Sequence, residues 1–226
     1  MATTGRPPWL IPAIGCGTFI VLSAVGLGLL SYFSYEMAEQ NRDPERRAEK
    51  AQEILGSIPA GWHPVLVLQL PLGVSELVVL SDTPKPANVE QTQFERQGVW
   101  LNRVLARGRK GREAYLSDEQ LETEAGEGAG FRIRDATLLD AGEWSDADRS
   151  ISYRSYLGRV ALLGWEARAV ATKFAWSCPE DPNHLVLGLW FERLTADREA
   201  PTATPLGELK PLLAQLRPCR AQTPAE

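Results

Sequence analysis

Hydrophobic and polar positions divide this chain into one long apolar segment and a domain of alternating patterns. From Trp9 to Phe33 the residues are apolar or small, and no charged residue occurs between Arg6 and Glu36. A helix over 9–33 would be about 37 Å long, more than the hydrocarbon core of a bilayer. Trp9 lies at one end, and Tyr32, Phe33 and Tyr35 at the other, as interfacial anchors do. The pattern predicts an uncleaved membrane anchor. The apolar core is longer than that of a cleaved signal peptide, and no small-residue cleavage pattern follows it. Cys16 precedes most of the core, the wrong place for a lipidated cysteine. Ala13/Gly17 and Ala24/Gly28 have the small-xxx-small spacing that can seat a second helix.

After a polar stalk, Asp43-Pro44-Glu45 opens a short amphipathic helix that Gly56 closes. Asp43 suits the N-cap and Pro44 the first helical position, and Ala48, Ala51, Ile54 and Leu55 share one face. Pro59-Ala60-Gly61-Trp62 then turns into two β-patterned runs, 65–70 and 75–81, joined as a hairpin by Pro71-Leu72-Gly73. Residues 99–105 read as a strand. The pattern over 116–125 predicts a helix capped by Ser117, with Gln120 completing a capping box. Strands are predicted over 131–140, 151–157, 159–163, 166–176 and 185–193, punctuated by Gly142, Gly158, Gly164 and Asp181-Pro182-Asn183. Leu206, Leu209, Leu212, Leu213 and Leu216 have helical spacing, and Pro211 predicts that the regular helix begins close to it.

The predicted fold class is α+β, an antiparallel sheet packed by a few helices behind one N-terminal transmembrane helix. The predicted organisation is a tail (1–8), the anchor (9–33), a stalk and amphipathic helix (34–57), a single α+β domain (58–219) and a disordered tail (220–226).

Charge refines the picture. All 29 acidic residues, and every basic residue except Arg6, follow the apolar segment. A net acidic domain is a poor general ligand for nucleic acid or anionic lipid, so no nucleic-acid partner is predicted. Arg42, Arg46, Arg47 and Lys50 flank the anchor on its C-terminal side, which by the positive-inside rule leans towards a cytoplasmic domain.

The cysteines lean the other way. Outside the anchor only Cys178 and Cys219 occur, each at the end of a predicted element. Two unrelated buried thiols are the alternative. The reading adopted is a disulfide pinning the last helix to the sheet, which implies an extracytoplasmic domain because such bonds persist outside the cytoplasm.

The chain resembles a group of uncharacterised single-anchor bacterial membrane proteins. The resemblance is carried by Asp43-Pro44-Glu45, Ile58-Pro59-Ala60-Gly61-Trp62, Trp176-Ser177-Cys178-Pro179 and Leu216-Arg217-Pro218-Cys219. The layout of Pro-x-Gly-Trp, strands and a final helix is also similar to the PsbP/Mog1-like α/β/α sandwich. The first resemblance implies the bacterial inner membrane, with the domain in the cell envelope. The second implies binding of partners rather than catalysis.

Candidate chemistry is sparse. His63 and His184 are far apart in sequence and have no metal-ligand spacing, and no cofactor is predicted. Gly126-Glu127-Gly128-Ala129-Gly130 precedes a strand, the reverse of a dinucleotide loop. Arg107, Arg109, Lys110 and Arg112 form the sharpest local feature, read as an exposed turn. They offer either an anion-binding site or a solvated turn balanced by nearby carboxylates. Six tryptophans follow the anchor, and Trp144 is the one expected at the surface. Together these features predict a membrane-anchored extracytoplasmic module. It touches the bilayer through 9–33 and binds a protein partner or a small ligand. The alternatives are an envelope enzyme and a subunit of a complex built with another membrane protein.

Overall fold

The computed structural model describes residues 35–36, 38–39, 41–70, 73–85, 93–105, 108–118, 130–146, 149–181, 183–195 and 206–219. The chain divides into two compact units, Met1–Gln40 and Asn41–Glu226. In the first, the described residues 35, 36, 38 and 39 are helical. No helix among the described residues is long and apolar enough to cross a membrane. The predicted anchor (9–33) and the tails at 1–8 and 220–226 lie outside the described residues.

Helix α1 (Pro44–Leu55) opens the second unit, with the ends its sequence predicts. The Asp43 carboxylate accepts from the Glu45 N–H at 2.9 Å, Pro44 starts the helix, and Gly56 ends it at φ +74°. Its buried face is Arg47, Ala51, Ile54 and Leu55, so Arg47 takes the deep position expected for Ala48. The guanidinium is satisfied by three carbonyls: Pro64 at 2.7 Å, Asn41 at 2.6 Å and Lys85 at 3.2 Å. Burial holds its pKa below the usual arginine value, against the opposing effect of Asp43.

Seven antiparallel strands form one sheet in the order β1-β2-β3-β7-β6-β5-β4. They are β1 (His63–Gln69), β2 (Ser75–Ser81), β3 (Gln97–Leu105), β4 (Phe131–Asp146), β5 (Arg149–Leu162), β6 (Trp165–Ser177) and β7 (His184–Arg193). Helix α1 and helix α3 (Leu206–Gln215) cover one face with Val78, Leu101, Phe174, Trp176 and Trp190 beneath them. Helix α2 (Gly108–Leu116) packs on the other, where its Tyr115 joins Trp100, Phe131, Tyr156 and Phe191. The result is an α+β domain of three layers.

Several elements correct the sequence reading. Residues 108–112 are the first turns of α2, not an exposed turn; Gly108 and Gly111, poor helix formers, gave the contrary signal. Helix α2 ends at Leu116, so Ser117 follows a helix instead of capping one, and the predicted 119–125 lies outside the described residues. Helix α3 starts at Leu206 and carries Pro211 in its interior. Strand β4 runs on through Gly142, and β5 is continuous through Gly158. At Gly158 a Cβ would lie 2.7 Å from the Arg134 carbonyl oxygen, so this glycine permits close approach of β4 and does not break the strand.

Candidate functional site

The longest strands are β4, β5 and β6, of 16, 14 and 13 residues, and Arg132, Arg134, Arg159, Glu166 and Arg168 are exposed at their end near the β5–β6 turn. Their sequences alternate there, as in Phe131-Arg132-Ile133-Arg134, so odd residues of β4 enter the α2-side core and arginines face away. Register then brings distant arginines together. Arg134 is directly opposite Arg159, and Arg159 is directly opposite Arg168. Cross-strand partners share a face with Cβ atoms about 5 Å apart, so three guanidiniums stand in one row across three strands. All three are exposed. Like charges in this register oppose folding.

One carboxylate sits among them. Glu166 Oε2 lies 3.9 Å from Arg134 Nη1, and its Oε1 lies 3.9 Å from Arg159 Nη1. Those separations are ion pairs but too long for hydrogen bonds. Beside the row, Arg132, Arg134, Leu163, Gly164, Trp165 and Glu166 border a groove of about 440 Å³. Phe131 and Leu162, buried in the α2-side core, also line it.

The backbone around this end is strained. Among the described residues the non-glycine positions with positive φ are Asp135 (+52°) and Leu163 (+52°). Asp135 follows Arg134 in a β-bulge, where the register passes from Arg134–Arg159 to Thr137–Leu157 across the single residue Gly158. Leu163 and Gly164 form the two-residue turn between β5 and β6. A leucine in the left-handed region costs on the order of 1 kcal/mol or more, and such strain tends to collect at functional sites. Trp165 packs into the α2-side core, its ring centroid 4.9 Å from that of Phe191 and 5.3 Å from that of Phe94. The groove's described lining offers cations and apolar surface to a ligand, with Glu166 as its one carboxylate.

A second polar cluster lies beneath α2. Lys173, 1 % exposed, donates from Nζ to the Ser117 carbonyl at 3.3 Å and lies 4.8 Å from the centre of the Tyr115 ring. Burial lowers its pKa to about 8, with Asp118 opposing the shift. Tyr156 donates to Asp118 at 2.6 Å, and Arg154 pairs with the same carboxylate at 2.8 Å. These bonds, that of Tyr156 first, hold Asp118 below the usual carboxylate range. The amine is covered by α2, so this cluster is a satisfied core group and not an open site.

The residues singled out in the sequence are dispersed. Lys110 and Arg112 lie on α2, which covers the opposite face of the sheet from the arginine row, and the side chains of Arg107 and Arg109 lie outside the description. His63 begins β1. His184 Nδ1 lies 2.5 Å from Asp181 Oδ2, a hydrogen bond that holds Asp181 below its usual range. Trp144 is half-buried, tilted against Tyr153 at 5.3 Å with Lys210 over its ring. Cys178 and Cys219 are bonded, with their Cα atoms 5.2 Å apart. The groove residues carried one sequence signal, the period-2 alternation of arginine with apolar residues in β4, but nothing local relates them to Arg159 and Arg168.

No family model matches the chain, and no curated protein matches it. Among solved structures it is similar to the Ran-binding protein Mog1p of Saccharomyces cerevisiae, with a TM-score of 0.39 and 10% identity over 72% of this chain and 88% of that one.

Proposed function

We propose that this protein is a membrane-tethered binding module. Its domain lies outside the cytoplasm and takes an anionic ligand on the exposed end of β4, β5 and β6. The observation that carries the reading is the Arg134–Arg159–Arg168 row: three like charges in direct register, costly to the fold, beside a groove. A cost of that kind is retained where binding returns it. The uncharged run from 7 to 35 supports the tether. The Cys178–Cys219 bond supports an oxidising compartment.

Retention on an anionic matrix tests the binding. The full-length chain in neutral detergent, although net negative at pH 7, is expected to bind a carboxymethyl matrix at low salt and to elute as salt screens the row. Changing Arg134, Arg159 and Arg168 to Ser should abolish retention without lowering stability. The same change at Arg107, Arg109 and Arg112 should leave retention in place. Flow-through of the unmodified chain would refute the reading.

A further inference from the structure

We infer that the arginine row beside the β5–β6 turn takes a compact dianion: two oxyanionic groups about 5 Å apart. This rests on the anion-binding reading and specifies the ligand it serves.

Charge sets the number of anionic groups. Within the row three guanidiniums face one carboxylate, Glu166, an excess of two positive charges. Glu166 marks where an oxyanion belongs. It lies between Arg134 and Arg159 at 3.9 Å from each, close enough to feel both and too far to engage their N–H donors. A ligand oxyanion in the same gap could accept from both guanidiniums in the forked geometry that arginine favours. The second group sits in the next gap, between Arg159 and Arg168, one strand further. Adjacent strands set that separation at about 5 Å.

Shape sets the rest. The groove, at about 440 Å³, is within the range of small-molecule sites and too small for a folded partner. Arg134 is the member of the row that lines it, while its apolar residues Leu163 and Trp165 pack against the α2-side core, on the other face of the sheet. The turn beside the row holds Leu163 at φ +52°, where glycine or asparagine would be unstrained, so this turn is kept at a conformational cost. The bulge at Asp135, made possible by Gly158, directs β4 so that Arg134 both borders the groove and ends the row.

Calorimetry on the full-length chain in neutral detergent tests this, with acetate, succinate and glutarate as probes. Succinate and glutarate are each expected to bind at least tenfold more tightly than acetate. Arg159→Ala should weaken both dianions at least tenfold. Glu166→Gln, which removes the competing carboxylate, should strengthen them several-fold, an effect that general loss of structure cannot give. Equal binding of acetate and succinate, or an Arg159→Ala chain that binds as the parent does, would overturn the inference. If the carboxymethyl matrix retains the chain while no dianion binds, the binding reading stands and the dianion falls.

Discussion

The guanidinium of Arg149 lies 5.3 Å from the centre of the Trp176 ring and donates to the carbonyls of Leu213 at 3.0 Å and Leu216 at 3.1 Å. A buried arginine at the start of β5 thereby caps the C-terminal end of α3, whose last carbonyls have no intrahelical partner. Asp146 pairs with the same group. Replacing Arg149 by Met keeps most of the volume and leaves two carbonyls and a carboxylate without their donor. A loss of about 3 kcal/mol is expected. Urea unfolding of the variant measures it, and an unchanged midpoint would show that water replaces the guanidinium without cost. Dianion binding should be unaffected, since Arg149 is not part of the arginine row.

The Cys178–Cys219 bond fastens the same end of α3 to β6. It spans 41 residues, and constraint of that loop in the unfolded chain contributes about 4 kcal/mol in the chain-entropy model. Trp176 Nε1 lies 3.3 Å from Cys219 Sγ, so the bond is packed into the core. Reduction should lower the unfolding midpoint and alter tryptophan fluorescence together. Thiol labelling of protein from intact cells, denatured without reductant, decides whether the bond exists in place. Reaction at both cysteines would remove the physical support for an extracytoplasmic domain.

Lys173 predicts a stability that rises with pH. Its amine loses a proton near pH 8 in the folded chain and near 10.5 when unfolded. Between those values the unfolded chain binds more protons, so stability increases as pH rises from 8 towards 10. Below pH 8 both states are protonated, and the cost of burying the cation is present in full. Lys173→Met should therefore stabilise the domain at pH 7, by about 1 to 3 kcal/mol, and flatten the rise. Urea midpoints between pH 7 and 9.5 measure both effects. A parallel pair of profiles for the two proteins would contradict the assignment. Tyr115 and Tyr156, both with raised pKa values through burial, keep their protons across this window.

Gly158 couples strand packing to the arginine row. A methyl group there would meet the Arg134 carbonyl oxygen at 2.7 Å and Ile133 Cγ2 at 3.0 Å. Gly158→Ala should push β4 outwards at its bulge, cost about 1 to 3 kcal/mol and weaken retention on the anionic matrix. Loss of stability with full retention would show that Arg134 holds its place independently of the bulge.

The sequence by itself determined the features whose physics is local. Asp43, Pro44 and Gly56 set the ends of α1, because capping bonds and backbone preferences act within four residues. Pro71-Leu72-Gly73 joined β1 and β2 as neighbours. With one cysteine in the apolar segment, the remaining two could be paired from their places at element ends. Tertiary structure alone decided the rest. Strand β7 enters between β3 and β6 through hydrogen bonds that any backbone can make, so no residue announces it. Arg47 reads as a solvated flanking charge until three carbonyls, two of them distant in sequence, close around it. Gly108 and Gly111 argue for a turn, yet Tyr115 buries itself against the sheet and donates to the Gly188 carbonyl at 2.7 Å, and that packing outweighs a weak helix propensity. The arginine row depends on the register of three strands and on a one-residue bulge. A shift of one residue would turn each guanidinium to the other face, and that choice is made by the core on the α2 side.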